Sequence, residues 1–422
     1  MTVKDKIENY LEYIMSICII LNSNSIWTNG DLKKLNMFFL CFILSIVLFI
    51  SIRGIIINQT LFLKSLIVII SIVIYNSIFI IANGQNTNNF IINFIFIFIV
   101  LIFYSIYKGQ VGKVNSLIFK ISNLIVILSF ISLIFYIFGS CFKIISPNSE
   151  TFLNWGVQKY IPSYYGLYYE TQATSIKGIT VIRNSGMFTE APMYAFNLCI
   201  ALIVELFLKE YKNNKRIILL LTTIATTFST TGIIIMLGLI IINIKITKSK
   251  SWILLLIKRL IFPIIFLAAM SISIFLIGDK INQSQYGYRS YSVRVDDFKV
   301  GIDAWSKHII IGHGYNRYDL TQQYMSINDR GSDIGGSSSL MKILPEGGLY
   351  LLSIYLIPLI LALFYGIRNK KNNVLIFAIT ITILFVFVNI PYTYMMIYIL
   401  ALGWSCLFRK EDNRREHISL NK

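Results

Sequence analysis

The sequence predicts an all-α, polytopic integral membrane protein that forms one membrane domain over residues 1–422. The chain is 56% hydrophobic and 14% charged, and its mean hydropathy of +0.69 exceeds what a soluble domain of this length can bury. Apolar runs of roughly 20 residues, enough for a helix to cross a hydrocarbon core of about 30 Å, recur along almost the whole chain. The runs are continuous and do not alternate polar with apolar residues, so helices are favoured over a β-barrel.

The apolar runs predict about twelve spans. Their approximate ranges are 10–27, 36–56, 61–81, 90–107, 117–139, 187–208, 216–229, 231–246, 252–277, 340–364, 373–389 and 391–408. The first range is diluted by Glu8, Glu12, Asn22 and Asn24, so the predicted count is eleven or twelve. The two spans around Ser229–Gly232 are short and flank a tight polar turn, which is typical of a helical hairpin that does not fully cross.

The distribution of Lys and Arg predicts the orientation. The only basic residues of the short outer loops are Lys33 and Lys34. The other basic residues collect at the opposite ends of the spans, as the positive-inside rule requires. Both termini are therefore predicted to be cytoplasmic, with residues 409–422 as a cytoplasmic tail. Segments 140–186 and 278–339 then become two long outer loops. The formal charge of +18 is spread over helix ends and forms no single patch, so nucleic acid is not a predicted partner.

An amphipathic helix is predicted in the second outer loop, at 293–311. Its apolar residues recur at spacings of three and four, which places them on one helix face. They are Val295, Phe298, Ile302, Trp305 and Ile309. Such a helix is expected to lie along the outer membrane boundary and to end at the GHG of 312–314. A simple anchor for a long loop would give the same pattern.

Three arginines of the outer loops are the sharpest functional signal. Arg183 lies where the first loop re-enters the membrane, and Arg289 and Arg294 lie near the start of the second loop's helix. A guanidinium group is always charged and presents a planar fork of donors, which suits a diphosphate. Contact with lipid headgroups or an ion pair with Asp296, Asp297 or Glu190 would explain any one arginine equally well.

Aromatic residues are concentrated in both outer loops, and Tyr291, Trp305 and Tyr315 are candidates for stacking on a sugar. Membrane interfaces are also rich in such rings. The chain has no motif for a metal–nucleotide complex or a zinc site, and His308 and His313 would diverge on one helix. No metal and no cofactor are predicted.

Four motifs in order carry a family resemblance. They are RNSGMFTEAPMYAFNL from Arg183, FSTTGIIIMLGL from Phe228, SVRVDDFKVGIDAWSKHIIIGHGYNRY from Ser292 and GSSSLMKILPEGGLYLL from Gly336. Together they resemble the superfamily of O-antigen polymerases (Wzy) and O-antigen ligases. The likeness in motifs covers residues 183 to 350, and the hydrophobic architecture covers the rest.

The resemblance implies a membrane-embedded, GT-C-like glycosyltransferase of the bacterial inner membrane, with its active site facing the periplasm and no need of a metal. Its substrate would be an oligosaccharide linked to polyprenyl (undecaprenyl) diphosphate, and its product O-antigen of lipopolysaccharide or a related surface or capsular polysaccharide. Membrane lipids, a chain-length regulator and a flippase are the implied partners. Where ligases carry a His-Asn-like pair, this chain has Gly336, Ser337 and Ser338, which favours a polymerase over a ligase.

Roles follow for individual residues. Arg183 and Arg294 are predicted to stabilise the leaving diphosphate, with Arg289 as a third contact. Glu190 is the first candidate for the base because it follows Arg183 by seven residues, two turns along one helix face. An ion pair with Arg183 would equally explain it.

His313 and Glu346 are reserve candidates, and Ser337 and Ser338 are predicted to contact substrate. Two other classes of function remain open. A flippase or transporter for lipid-linked sugars would have a similar number of helices but should show two related halves, which this sequence lacks. A non-catalytic assembly or sensor protein would use its loops to bind a partner.

Overall fold

The computed structural model describes residues 3–30, 32–84, 86–155, 158–176, 179–246, 278, 290–326 and 335–409. This part of the chain is mostly helical. The helices are α1 (Val3–Leu21), α2 (Leu32–Ile56), α3 (Gln59–Asn83), α4 (Thr87–Gln110), α5 (Ser116–Cys141), α6 (Ala191–Leu208), α7 (Asn214–Thr226), α8 (Thr230–Ile246), α9 (Ser290–Lys307), α10 (Tyr318–Gln322), α11 (Leu340–Arg368), α12 (Asn372–Phe387) and α13 (Tyr394–Phe408).

Six described helices, α2 to α6 and α11, are long and apolar enough to cross a membrane, and α8, α12 and α13 are shorter apolar helices. Large apolar side chains stand exposed along α2 and α3, for example Phe38, Phe49 and Ile67. Soluble monomers rarely expose so much apolar surface, so a membrane-embedded protein is the consistent interpretation. The count of about twelve spans stays a prediction, and the span at 252–277 lies outside the described residues.

The first outer loop contains β-structure that the sequence analysis did not predict. Strands β1 (Ser149–Leu153), β2 (Lys159–Tyr164) and β3 (Tyr168–Tyr169) form one antiparallel sheet. Strands β4 (Ala173–Ile176) and β5 (Ile179–Ile182) form a second sheet, in which Ala173 pairs with Ile182. The aromatic and β-branched residues of these strands favour extended backbone. The all-α prediction therefore holds for the helical body but not for this loop.

Helix α9 differs in part from the predicted amphipathic helix at 293–311. It ends at Lys307, and its buried face contains Val293, Val300 and Ala304 and packs against α11. Val295 and Ile302 are exposed on the other side of the helix. The predicted apolar face is therefore only partly covered by protein, and its contact with a membrane boundary stays a prediction.

The GHG segment is joined to a break in α11. Gly348 has a φ of +58° and a ψ of −157° inside this helix, and the backbone N–H groups of Leu349 and Tyr350 donate to the carbonyls of Ile309 and Ile310, each at 2.9 Å. A Cβ on Gly312 would stand 2.4 Å from the backbone nitrogen of Gly347. The two glycine motifs thus allow backbones to touch, and α11 is fastened to the loop that follows α9.

A buried charge network ties the other end of the bundle together. Glu12 accepts from Lys120 and forms an ion pair with Lys108 at 2.7 Å, and Lys108 also pairs with Glu8 at 2.6 Å. The hydroxyl of Tyr104 donates to Glu12 at 2.8 Å. Because all these groups lie on α1, α4 and α5, the network joins three helices through charges that are largely buried.

Replacing Lys108 by Met is expected to lower the free energy of unfolding by about 3 kcal/mol, because two buried carboxylates lose one cation. Thermal unfolding of the purified protein in detergent measures this. Lys113→Met is the matched control, since the pair of exposed Lys113 with Asp5 should contribute at most about 1 kcal/mol. Equal effects of both substitutions would contradict a structural role for the buried network.

Candidate functional site

Arg183 and Arg294 meet at the turn between α7 and α8. The Nε of Arg183 donates to the carbonyl of Thr227 at 2.9 Å, and Nη1 of Arg294 donates to Oγ1 of Thr231 at 3.4 Å. Their side chains therefore contact positions four residues apart, one in the turn and one in the first turn of α8. Burial and, to a smaller extent, the positive charge of Arg294 lower the pKa of Arg183.

The segment that carries Arg183 is attached to this turn by its backbone. The N–H of Asn184 donates to the carbonyl of Thr226 at 3.0 Å, and the Asn184 side chain donates to Oγ1 of the same threonine at 3.1 Å. The N–H of Arg183 donates to the carbonyl of Gln172 at 2.9 Å. Arg183 follows directly after β5, and the contacts with Gln172 and with the turn between α7 and α8 fix its position.

The guanidinium of Arg183 is buried and incompletely satisfied. Nη1 donates to Oε1 of Gln172 at 3.1 Å, whereas Nη2 is buried and has no hydrogen-bond partner in the described part of the chain. Burial lowers the pKa of Arg183 to about 10, an effect that Glu190 opposes and Arg294 reinforces. The group remains protonated at neutral pH. A buried cation with an unused donor is a suitable partner for an anionic ligand.

Glu190 belongs to the same cluster. Its negative charge raises the pKa of both Arg183 and Arg294, although burial leaves the pKa of each below its ordinary value. The indole Nε1 of Trp155 donates to Oε1 of Glu190. The structure corrects the predicted helical spacing, because α6 begins only at Ala191 and Glu190 is its N-terminal cap residue. The loop after β5, not a shared helix face, brings the acid to the arginines.

A polar cavity of about 220 Å³ opens beside this cluster. Trp155 and Thr189, which precedes Glu190, belong to its wall. The other lining residues are Asn22, Asn24, Ser25, Thr28, Asn29, Lys33, Asn316, Lys342, Asn389, Ile390, Pro391, Tyr392 and Thr393. The indole of Trp155 therefore connects the cavity to the Arg183–Arg294–Glu190 cluster, which we call the charged cluster.

No family model matches this chain, and no curated protein or solved structure does so either. The chemistry of the site must therefore be argued from its own residues. Within the described ranges, no group of three or more His, Cys, Asp and Glu side chains is arranged to hold a metal ion.

Several residues predicted to contact substrate are structural. Tyr315 is buried among Phe90, Phe94 and Tyr392, and its hydroxyl accepts from Asn93 at 3.0 Å. Its ring therefore has no free face for a sugar. This position corrects the prediction made from its place in an outer loop.

Ser337 and Ser338 are also occupied by the protein. The N–H of Ser337 donates to Oδ2 of Asp297 at 2.7 Å, and its hydroxyl donates to the same oxygen. The hydroxyl of Ser338 donates to the carbonyl of Val386 at 2.6 Å. These contacts fasten the entry of α11 to α9 and α12, and the predicted contact of the two serines with substrate stays a prediction.

Glu346 lies behind the cavity wall. It is fully buried, and its Oε2 accepts from the N–H of Asn316 at 3.0 Å and from the hydroxyl of Tyr392. Asn316 and Tyr392 line the cavity, whereas Glu346 does not. Glu346 therefore adjoins the cavity only through Asn316 and Tyr392, and its place as a reserve candidate stays a prediction.

The remaining predicted residues lie apart from the charged cluster or outside the description. Nε2 of His313 donates to the carbonyl of Ala304 at 2.9 Å, and its ring stands 4.4 Å from that of His308. Nε1 of Trp305 donates to the carbonyl of Ile309 at 2.9 Å. Tyr291 lies in the first turn of α9, and Arg289 lies outside the described residues. The histidines meet because α9 ends at Lys307 and both lie in the non-helical segment that follows it.

Gln172 is a site residue that the sequence analysis missed. Its Oε1 accepts from Nη1 of Arg183 and from the N–H of Ala191 at 3.3 Å, so one amide joins the arginine to the start of α6. A single glutamine in a polar loop belongs to no sequence motif that would mark it as functional. Only the sheet pairing, which places Gln172 opposite Arg183, could have indicated it.

If the protein extends glycans, as the resemblance implies, Gln172→Ala is expected to slow that extension by about tenfold to a hundredfold, because a hydrogen bond to a charged group contributes roughly 1.5–3 kcal/mol. The measurement is the initial rate of glycan extension by purified protein. Gln158→Ala is the control, since Gln158 bonds only to exposed Asn154 among the described residues. A normal rate with Gln172→Ala would show that Arg183 needs no help from this amide.

Proposed function

We propose that the protein is a metal-independent polysaccharide polymerase of the inner membrane, acting on the periplasmic face. It would transfer a growing glycan from its polyprenyl diphosphate carrier to an incoming lipid-linked repeat unit. The observation that carries the proposal is the pairing of Arg183 and Arg294 on one turn, with a buried guanidinium nitrogen left for a ligand. The resemblance in motifs points the same way.

The leaving group explains the need for two arginines. As the bond between the anomeric carbon and the diphosphate oxygen breaks, its electron pair stays on the diphosphate and negative charge increases there. Cations that are already positioned, in a place from which water is largely excluded, stabilise this charge without reorganising. Arg183 and Arg294 are proposed to bind the diphosphate in this way.

The new glycosidic bond forms between the same anomeric carbon and a hydroxyl oxygen of the acceptor sugar. That hydroxyl must lose its proton, and Glu190 is the carboxylate of the charged cluster. We assign Glu190 as the general base, oriented by Trp155. General base catalysis of this kind contributes about a hundredfold to ten-thousandfold.

The length of α7 supports access from the lipid. This helix has 13 residues and is therefore about 20 Å long, compared with about 30 Å for a hydrocarbon core. If the helix starts at the inner boundary, the turn that holds both arginines lies below the outer boundary. A diphosphate attached to a membrane-embedded polyprenyl chain can reach such a recessed turn.

The surface glycan of a deletion strain, compared on a gel with that of its complemented partner, tests the proposal. Deletion is expected to replace a ladder of chain lengths by a single repeat unit, and complementation to restore the ladder. An unchanged ladder would rule out a polymerase. Unextended units retained on the cytoplasmic side would indicate a flippase, and loss of all chains from their final acceptor would indicate a ligase.

A further inference from the structure

The cavity beside the charged cluster has an unusual balance of charge. Its described lining includes two lysines, Lys33 from the start of α2 and Lys342 from the first turn of α11, but no carboxylate. Both lysines line the same cavity, so their positive charges repel each other. Neither forms an ion pair with a described Asp or Glu, not even Lys342 with Glu346 one turn further along.

Lys342 is held in place by aromatic rings and not by a direct ion pair with a described carboxylate. Its Nζ lies 5.0 Å from the ring centre of Tyr392 and 5.7 Å from that of Tyr318, distances typical of cation–π contacts. These rings orient the ammonium group, and Glu346 acts on it only through space, without an ion pair. Two like charges at one cavity repel each other, and an anion bound between them would offset that repulsion.

The rest of the wall is suited to a sugar. Five asparagines line the cavity, and three of them, Asn22, Asn24 and Asn389, have side chains oriented by backbone contacts. Oδ1 of Asn22 accepts from the N–H of Tyr394 at 2.9 Å, and Nδ2 of Asn389 donates to the carbonyl of Gly336 at 2.9 Å. Amides pre-oriented in this way can exchange paired hydrogen bonds with hydroxyls, while Trp155 and Tyr392 offer aromatic surface.

We propose that this cavity binds the sugar portion of the substrate and that this sugar carries an acidic group, a carboxylate or a phosphate, held between Lys33 and Lys342. The inference rests on the proposed function and specifies its substrate class. The lipid diphosphate is the other possible source of an anion, but the Arg183–Arg294 pair already provides for it at the far side of Trp155.

The lipid-linked repeat unit that accumulates in a deletion strain is the ligand for the test. Its composition is determined first, and a repeat without an acidic group overturns the inference. Binding to the purified full-length protein is then measured for the native unit and for a form whose sugar carboxyl is reduced, or whose sugar phosphate is removed, with the lipid diphosphate intact.

Lys33→Gln and Lys342→Gln should each weaken binding of the native unit by about tenfold to a hundredfold. Removal of the acidic group should weaken binding to the unchanged protein by a similar factor, and the lysine variants should then cause no further loss. Lys33→Arg and Lys342→Arg should retain most of the affinity. Lys34→Gln is the control, because Lys34 is exposed on the same helix and does not line the cavity.

A lysine effect that persists on the reduced unit would assign these cations to the diphosphate and overturn the inference. Failure of the arginine replacements together with the glutamine ones would indicate damage to the fold, and the inference would fail as well. Failure of the proposed function looks different, because no lipid-linked unit would then accumulate in the deletion strain, or the unit would bind without being extended.

Discussion

Replacing Arg183 by Ala is expected to reduce surface glycan from long chains to single repeat units. The substitution removes the buried guanidinium proposed to stabilise the leaving diphosphate, and loss of one such preorganised donor costs about a hundredfold to a thousandfold in rate. Arg294→Ala should have a comparable effect, because both side chains approach the α7–α8 turn. Gel analysis of the glycan, with the amount of protein in the membrane measured in parallel, provides the readout.

Two further variants make this test specific. Lysine at position 183 should restore activity only in part, since a single ammonium group cannot reproduce the planar fork that bonds to Thr227 and Gln172. Arg317→Ala is the matched control, an arginine of the same loop region that pairs with Asp319 and does not line the cavity. Normal chain lengths with either alanine variant at 183 or 294 would exclude the proposed roles.

Gly348→Ala is expected to destabilise the folded protein by about 4 kcal/mol. The φ of +58° strains any other residue by about 1–3 kcal/mol, and the added Cβ would stand 2.4 Å from the carbonyl oxygen of Ile310, which adds an overpacking cost of about 1–3 kcal/mol. Thermal unfolding in detergent measures the loss.

Gly238→Ala is the control for this substitution. Gly238 lies inside α8, and a Cβ there would meet nothing within 4 Å. Alanine should even stabilise that helix slightly, since it forms helices better than glycine. Similar unfolding temperatures for the two variants would contradict the close backbone contact between α11 and the segment after α9.

Much of the helical body could be predicted from the sequence because apolar runs of sufficient length have few alternatives in a membrane. The placement of Arg183 and Arg294 near one another was a hypothesis drawn from motif order, and the geometry is consistent with it. The reason given for Glu190 was wrong, because the residues from Arg183 to Glu190 are not helical. Periodicity arguments cannot reveal a loop that folds back on a neighbouring turn.

Aromatic and polar loop residues were the least predictable. Tyr164, Tyr168 and Tyr315 belong to a residue type that often binds sugars. Their side chains are nevertheless buried inside this protein. Lys33 stood out only as one of two lysines in the short outer loops, and its proximity to Lys342 depends on contacts across the whole chain. The meeting of residues that are distant in the sequence is a property of the tertiary fold and leaves no pattern in the local sequence.

The contacts that close the cavity wall join residues far apart in the sequence and so affect the order of folding. Nδ2 of Asn24 donates to the carbonyl of Asn389, 365 residues away, and Ser25 forms a β-bridge with Phe188. Contacts of such long range form late, since the entropy of closing large loops must be overcome first. The N-terminal part of the cavity wall can therefore form only after the last helices have been synthesised, and a chain truncated before them would lack the complete cavity.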